Sequence, residues 1–134
     1  MKQGFVKVAS ATPRIRVADP VYNAQVICEQ AKEAAEHGAK IVVFPELCIT
    51  GYTCNDLFLQ ELLLEKAKEA LLTIAEETGQ LETLFLVGLP VDKDGRLYNV
   101  AAVLYRGRIL GMIPKKNIPM YAAVSYTHLT LPTI

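Results

Sequence analysis

The sequence lacks any long apolar run and any excess of charge of one sign. Because no apolar stretch approaches the roughly 20 residues that a membrane-spanning helix needs, we expect no membrane partner. Fourteen basic and fourteen acidic residues cancel to a net charge of zero, so the composition predicts no surface for the phosphate backbone of a nucleic acid. We therefore expect partners that are neither membranes nor nucleic acids.

Paired cysteines and a secretion signal are also missing. Cys28, Cys48 and Cys54 are odd in number and do not have the spacing of metal ligands, which fits a reducing compartment better than a disulfide framework. Met1 to Gly4 lead directly into a strand pattern, without the apolar stretch and cleavage site of a signal peptide. These features predict a cytoplasmic protein with no metal site.

What the sequence does contain is enough apolar material for one packed domain. It has 134 residues, of which 51% are hydrophobic, and its mean hydropathy is +0.24. In the first half of the chain, the spacing of the apolar residues predicts two strand–helix units. The predicted elements, in order, are a strand over 5–10, a helix from Asp19-Pro20 to Gly38, a strand over 39–44, a helix from 57 or 60 to 78, and a strand over 84–90.

Burial can be predicted for two of these elements. The strand over 39–44 is apolar almost throughout, which predicts that both of its faces are buried. The first helix should turn one apolar stripe toward the core. The predicted stripe consists of Val21, Ala24, Ile27, Cys28, Ala31, Ala34 and Ala35.

The second half of the chain changes to antiparallel ribbons. Asp94-Gly95 and Arg106-Gly107 each predict a tight turn between two strands, and the last strand should run over 108–113. A plain doubly wound fold would continue with another helix instead. The sequence therefore predicts an α/β fold with a mixed sheet.

One acidic residue stands at the end of a buried strand. The apolar run over 41–44 stops at Pro45, and Glu46 follows it. A charge at this point lies at the carboxyl edge of the sheet, where open α/β folds bind their ligands. Glu46 is therefore a candidate for chemistry, and the alternative is a solvated loop carboxylate.

Two lysines end the last predicted strand in a similar way. Lys115 and Lys116 follow Pro114, and Pro119 comes shortly after them. One interpretation leaves both lysines exposed to solvent. The other turns one of them inward to pair with Glu46, because a buried carboxylate without a partner is costly.

The last residues do not continue the pattern of the rest of the chain. Residues 124–133 resemble the translation of a transposon-end sequencing adapter. We therefore predict a native domain over 1–123 and a foreign read-through tail over 124–134. No role is assigned to His128, which lies in this tail.

A longer motif surrounds Glu46. Phe44-Pro45-Glu46-Leu47, preceded by an apolar strand and followed by Thr50-Gly51-Tyr52, resembles the nitrilase superfamily of carbon–nitrogen hydrolases. The string over 44–58 is more narrowly similar to the N-terminal glutaminase domain of bacterial glutamine-dependent NAD⁺ synthetases. A Lys-x-x-Ile-Pro segment that begins at Lys115 supports the same resemblance, which covers residues 5 to 123.

The resemblance implies a fold and a set of site residues. The fold is a four-layer α-β-β-α sandwich, of which this chain is the truncated N-terminal part. The site of the family is a Glu–Lys–Cys triad, in which Glu46 falls on the general base. Lys115 falls on the lysine that stabilises the oxyanion and the intermediate, and Tyr52 and Tyr121 match tyrosines that line the glutamine pocket.

The nucleophilic cysteine that the resemblance implies is missing. The family places it after the lysine, and no cysteine follows Lys115. Cys48 and Cys54 stand where the family has small or apolar residues, so we expect them to pack rather than to react. We therefore expect this chain to be inactive by itself.

For the complete protein, the resemblance implies a glutamine-hydrolysing NAD⁺ synthase that acts in NAD biosynthesis. The glutaminase part releases ammonia from glutamine. A C-terminal synthetase domain uses that ammonia, with ATP and Mg²⁺, to amidate nicotinic acid adenine dinucleotide. No cofactor is implied within this chain, and its expected partners are glutamine, the synthetase domain and, when complete, further copies of itself.

Two alternatives stay open at this point. The first is a free-standing amidase of the same superfamily. The second is a non-catalytic α/β binding module, in which Glu46 and Lys115 form a structural ion pair. A synthetase domain further along the gene would exclude the first, and a cysteine on a strand end after Lys115 would weaken the second.

Overall fold

The computed structural model describes residues 4–51 and 61–116, which form one five-stranded sheet with two helices. In chain order the elements are β1 (Val8–Ser10), α1 (Pro20–Glu36), β2 (Ile41–Val43), α2 (Glu61–Glu77), β3 (Leu84–Lys93), β4 (Arg96–Tyr105) and β5 (Arg108–Pro114). The strands lie side by side in the order β1-β2-β3-β4-β5. Strands β1, β2 and β3 are parallel, whereas β4 and β5 are each antiparallel to the strand before them. The predicted α/β fold with a mixed sheet is therefore confirmed.

Local signals in the sequence explain where α1 begins and ends. The Asp19 side chain accepts a hydrogen bond from the backbone N–H of Tyr22 at 3.2 Å, and Pro20 occupies the first helical position. Gly38, with a φ of +87°, takes the left-handed conformation that commonly follows a helix. Neither α1 nor α2 is long and apolar enough to cross a membrane.

Two tight turns produce the antiparallel half of the sheet. At Asp94-Gly95 the φ angles are 55° and 76°, and at Arg106-Gly107 they are 51° and 82°. Positive φ at both central residues is the geometry of the two-residue turn that matches the twist of paired strands. Both predicted turns are thus confirmed.

Strand β5 carries a bulge at Leu110. Ile109 and Gly111 pair with consecutive residues of β4, Leu104 and Val103, so Leu110 between them has no pairing residue on that strand. Beyond Leu110 the register of β5 is shifted by one residue, and the shifted register holds to the end of the strand.

Both helices pack on one face of the sheet and form the core with it. The buried cluster includes Ile27 and Ala31 of α1, Leu71 and Ile74 of α2, and the alternate strand residues Val42, Phe85, Val87, Ala102 and Leu104. Each fully buried Leu, Ile or Phe side chain contributes about 1.5–3 kcal/mol by leaving water. The buried residues of α2 lie on one face of the helix: Leu63, Ala67, Ala70, Leu71, Ile74 and Ala75.

The predicted stripe of α1 is wrong at one position. Val21 is 60% exposed, whereas Asn23 is fully buried. The buried row begins at Pro20 and continues through Asn23, Ala24 and Ile27, which share one side of a helix with 3.6 residues per turn. Val21 lies about 100° further round the helix and so falls outside this row.

The opposite face of the sheet, called the open face here, carries Val8, Val43, Leu86, Ala101 and Ile113. Val8 is 62% exposed, Val43 43% and Ile113 41%. The prediction that both faces of the strand over 39–44 are buried is therefore wrong for Val43. Burial of the second face needs a second layer, and residues 4–51 and 61–116 supply a layer on one face only.

Because the open face is apolar, we expect the 134-residue chain to bind a hydrophobic dye such as ANS through it. Val43→Thr should reduce dye binding and change the thermal unfolding temperature little, since Val43 is already 43% exposed. Val42→Thr is the matched control on the helix-covered face, where Val42 is fully buried. It should lower the free energy of unfolding by about 1–3 kcal/mol, because it buries a hydroxyl group among apolar side chains. Equal destabilisation by the two substitutions would show that the open face is covered.

Candidate active site

The turn after β2 is held to β3 by backbone hydrogen bonds. The N–H of Phe44 donates to the carbonyl oxygen of Leu86 at 2.9 Å, and the N–H of Ile49 donates to that of Gly88 at 3.1 Å. Glu46 lies between these two bonds along the chain. It therefore stands at the carboxyl end of β2, at the edge of the sheet where the sequence predicts a ligand site.

Leu47 holds this turn in a strained backbone conformation. Its φ is +54°, which is uncommon for a residue with a bulky side chain. The residue is fully buried, and its carbonyl oxygen accepts hydrogen bonds from the N–H groups of Thr50 at 3.3 Å and Gly51 at 2.7 Å. Such strain costs on the order of 1–3 kcal/mol and clusters at functional sites. It is a second indication that the turn carrying Glu46 serves a function.

Gly88 of β3 lies so close to the turn that it has no room for a side chain. A Cβ atom at this position would be 2.5 Å from the nitrogen of Leu47, 2.8 Å from the carbonyl oxygen of Pro45 and 3.0 Å from the carbonyl carbon of Glu46. All three atoms belong to the backbone, so they cannot move aside as a flexible side chain would. Glycine at position 88 therefore sets the distance between β3 and Glu46.

Asn23 clamps the other side of the same turn. Its Nδ2 donates to the carbonyl oxygen of Ile49 at 2.8 Å and to that of Arg16 at 2.8 Å, while its Oδ1 accepts the N–H of Arg16 at 2.7 Å. The N–H of Ala18 also donates to the carbonyl oxygen of Thr50 at 2.8 Å. The loop before α1 is thus tied to the turn that presents Glu46.

Lys115 reaches this turn from the end of β5. Its Nζ lies 2.7 Å from Oε1 of Glu46, and each of the two side chains is 31% exposed. Lys116, the next residue, is exposed. Of the two interpretations of the lysine pair, the structure therefore supports the inward one, with Lys115 as the residue that turns toward Glu46.

Asn99 of β4 is a third polar contact that the sequence does not reveal. Its Nδ2 donates to Oε1 of Glu46 at 2.9 Å, and the residue is only 3% exposed. The backbone N–H of Lys115 donates to the carbonyl oxygen of Asn99 at 2.8 Å. The sequence offers one signal that Asn99 is special: it is a single amide within the mostly apolar strand β4. The sequence alone does not show which residue this amide contacts.

These three side chains lie in an open pocket of about 410 Å³. Its walls are mostly apolar and include Val43, Leu86, Ala101 and Ile113 of the open face. Among the lining residues within the described ranges, Glu46 and Lys115 are the titratable ones. A carboxylate beside an ammonium group in such a pocket can take a proton from an entering nucleophile, and the ammonium group can stabilise a negative charge that develops nearby.

Two cysteines are described, and neither is placed as a nucleophile. Burial raises the pKa of the Cys48 thiol to about 11, and its Sγ lies 3.7 Å from the carbonyl oxygen of Gly88. Burial, with a smaller effect of the Glu77 carboxylate, raises the pKa of the Cys28 thiol to about 11. Both thiols are therefore protonated at neutral pH, as expected for cysteines that pack.

Other predicted residues lie outside the described part of the chain. These are Tyr52, Cys54 and Tyr121, together with the predicted tail over 124–134. The roles predicted for Tyr52 and Tyr121, and the domain boundary at 123, stay predictions. Among residues 4–51 and 61–116, no three His, Cys, Asp or Glu side chains come together in a way that could hold a metal ion.

Comparison with known families and curated proteins gives consistent matches. The carbon-nitrogen hydrolase family model matches residues 7–131. A glutamine-dependent NAD(+) synthetase of Mycobacterium tuberculosis is 38% identical over 120 residues, which cover 90% of this chain and 18% of that protein. The corresponding enzyme of Acinetobacter baylyi is 34% identical over 122 residues, which cover 91% of this chain and 22% of that protein. The chain thus spans about a fifth of the length of these relatives.

Solved structures agree with this result. A glutamine-dependent NAD(+) synthetase from Cytophaga hutchinsonii superposes with a TM-score of 0.87 at 27% identity, covering 95% of this chain and 22% of that one. An amidase from Nesterenkonia sp. superposes with a TM-score of 0.80 at 20% identity, covering 99% of this chain and 51% of that one. The amidase shows the fold alone, and the predicted nitrilase-type architecture is confirmed.

We expect Gly88→Ala to lower the free energy of unfolding by about 1–3 kcal/mol, because the added methyl group overlaps the backbone of residues 45–47. Gly111→Ala is the matched control, since a Cβ at that strand position would have no atom within 4 Å. Chemical denaturation of the two variants measures the difference. Equal stability of the two variants would contradict the tight approach of β3 to the turn.

We expect Cys28 and Cys48 to resist iodoacetamide in the folded chain at pH 8, whereas both should react in urea. Because their pKa values rise from 9.0 to about 11 on folding, the unfolded chain loses these protons at lower pH. The free energy of unfolding should therefore fall as the pH rises from 9 toward 11. Mass spectrometry of the labelled chain reports on the first effect and denaturation at several pH values on the second. Rapid labelling of folded Cys48 at pH 8 would contradict the burial of this thiol.

Proposed function

The chain belongs to the carbon-nitrogen hydrolase family, and we propose that it forms the N-terminal part of the glutamine-hydrolysing domain of a NAD⁺ synthetase. One observation carries the proposal: Lys115 Nζ lies 2.7 Å from Glu46 Oε1 in a pocket at the carboxyl end of β2. The relatives from Mycobacterium tuberculosis and Acinetobacter baylyi, at 38% and 34% identity, are glutamine-dependent NAD(+) synthetases, which supports this branch of the family over a free-standing amidase.

The proposed chemistry explains why this site needs both charged residues. The carboxamide of glutamine resists attack, so hydrolysis requires a thiolate, and a free cysteine is mostly protonated at neutral pH. Glu46 takes the proton of the thiol as the sulfur attacks the amide carbon. The carbonyl oxygen gains a negative charge in the tetrahedral intermediate, and the ammonium group of Lys115 stabilises it.

The collapse of the intermediate completes the proposed first half of the reaction. Glu46 returns its proton to the departing nitrogen, the C–N bond breaks, and ammonia leaves a γ-glutamyl thioester on the cysteine. A water molecule then attacks the thioester and releases glutamate, with Glu46 again acting as the base. The tyrosines at 52 and 121 are proposed to line the pocket around the glutamine side chain.

The nucleophilic cysteine is proposed to come from the part of the domain that this chain does not contain. No cysteine follows Lys115, and the thiols of Cys28 and Cys48 are buried and protonated. The pocket is lined by residues of the open face, so a second sheet packed on that face would form its remaining wall. The chain alone is therefore proposed to be inactive.

The remaining steps of the proposal concern the rest of the protein. A C-terminal synthetase domain would bind ATP and Mg²⁺ and use the ammonia to amidate nicotinic acid adenine dinucleotide, in a homo-oligomeric assembly. The pocket described here does not suit Mg²⁺, since its one carboxylate is already paired with a lysine and an amide. We therefore propose that ATP and Mg²⁺ bind in the synthetase domain and not in this pocket.

The first test is the DNA sequence of the source genome beyond the codon for Ala123. We expect a reading frame that reaches a cysteine at a strand end and then an ATP-binding synthetase domain. A frame with the cysteine but without the synthetase domain would instead indicate a free-standing amidase. A native stop codon directly after Ile134 would contradict the glutaminase proposal.

The second test uses the complete protein. Glu46→Gln should lower the rate of glutamate release from glutamine by about 10²- to 10⁴-fold, because the amide cannot take the proton of the thiol. Glu36→Gln is the control, since Glu36 is exposed on α1 and should leave the rate unchanged. Residues 1–134 alone should release no glutamate. An unchanged rate in Glu46→Gln would contradict the assignment of Glu46 as the general base.

A further inference from the structure

Asn99 touches both charged residues of the site, through its side chain on one and through its backbone on the other. We propose that Asn99 is a positioning residue that selects which oxygen of Glu46 acts as the base and fixes Lys115 at the same time. This inference rests on the proposed function, because it concerns how Glu46 works in glutamine hydrolysis.

The side-chain contacts of Glu46 are unevenly distributed between its two oxygens. Oε1 receives Nζ of Lys115 at 2.7 Å and Nδ2 of Asn99 at 2.9 Å. Within the described ranges, no hydrogen bond or ion pair is made by Oε2. An oxygen with two donors is a poor proton acceptor, so the proton of the thiol goes to Oε2. Of the two donors, Asn99 is the uncharged one. It can therefore stay bound to Oε1 while the ammonium group of Lys115 interacts with the negative charge of the intermediate.

The backbone contact places the second charged residue. The carbonyl oxygen of Asn99 accepts the N–H of Lys115 at 2.8 Å, which continues the pairing of β4 with β5 beyond Pro114. Displacing Asn99 would therefore move the lysine as well as the carboxylate. Because Asn99 is 3% exposed, its rotamer is restricted by the surrounding packing.

The test compares kinetic parameters and their pH dependence in the complete protein. Asn99→Leu keeps a similar shape but removes the donor, and Asn99→Asp keeps the shape but replaces the donor with an acceptor. Thr83→Val is the matched control: Thr83 is also 3% exposed, and its hydroxyl donates to the carbonyl oxygen of Ala39 at 2.9 Å, away from the pocket. All variants are measured for kcat and KM of glutamine hydrolysis over a range of pH.

We expect Asn99→Leu to lower kcat by roughly 10- to 100-fold, the usual effect of losing a hydrogen bond to a charged group, with little change in KM. The acid limb of the kcat/KM profile should move to higher pH, because the ionised carboxylate has lost a donor. Asn99→Asp should move it further, since a second carboxylate then faces Glu46. Thr83→Val should leave both the limb and kcat unchanged.

Three results would overturn the proposal. A raised KM with an unmoved acid limb would make Asn99 a substrate contact instead. A loss of kcat with no change in the limb, or a loss equal to that of Thr83→Val, would make its role purely structural. These outcomes are distinct from failure of the proposed function, in which the wild-type complete protein would not hydrolyse glutamine at all.

A crystal structure of the wild-type complete protein provides a test that does not depend on whether the variants fold. We expect Nδ2 of Asn99 and Nζ of Lys115 within about 3.2 Å of the same oxygen of Glu46, with the other oxygen facing the cysteine sulfur. One donor on each oxygen, or an Asn99 side chain turned away from Glu46, would refute the assignment.

Discussion

The approach of β3 to the turn after β2 is the constraint on which the rest of the site depends. At Gly88 the two backbones are so close that a single Cβ atom would overlap three atoms of residues 45–47. This contact, together with the hydrogen bond from Ile49 to Gly88, holds Leu47 in its left-handed conformation. The turn then has one position available, and Glu46 projects from it toward β4 and β5, where its two partners lie.

The ion pair of Glu46 and Lys115 is suited to reactivity more than to stability. Each side chain is 31% exposed, and pairs with this exposure contribute about 1 kcal/mol or less because water screens them. A covering layer on the open face would remove that water and strengthen the interaction, but it would also impose the cost of desolvating two charges. The buried amide of Asn99 compensates part of this cost, because it satisfies a carboxylate oxygen that would otherwise lose its hydration.

Much of this arrangement could be predicted from the sequence. The parts that could not be predicted share a common cause. Glu46 is visible because a strand stop, a proline and a carboxylate are adjacent in the chain, and the turns at Asp94-Gly95 and Arg106-Gly107 are equally local. The choice of Lys115 over Lys116 follows from the family resemblance and not from the residue pattern, because it depends on strand register. The role of Asn99 depends on a contact 53 residues away in the sequence. The exposure of Val43 depends on what covers the sheet, about which a single strand carries no information.

The bulge at Leu110 has a consequence for how this site can change in evolution. If β5 continued past Ile109 without the bulge, Leu110 would pair with Val103, so Pro114 would stand opposite Asn99 and Lys115 opposite Tyr98. Since successive residues of a strand point to opposite faces, the ammonium group would then leave the side of the sheet where Glu46 lies. For a strand of this length, the bulge is thus as much a part of the site as the charged residues themselves. A homologue that keeps the glutamate, the lysine and the length of this strand but pairs it without a bulge would have the right composition and no site, whereas one that lacks Leu110 could keep Lys115 opposite Asn99 by regular pairing.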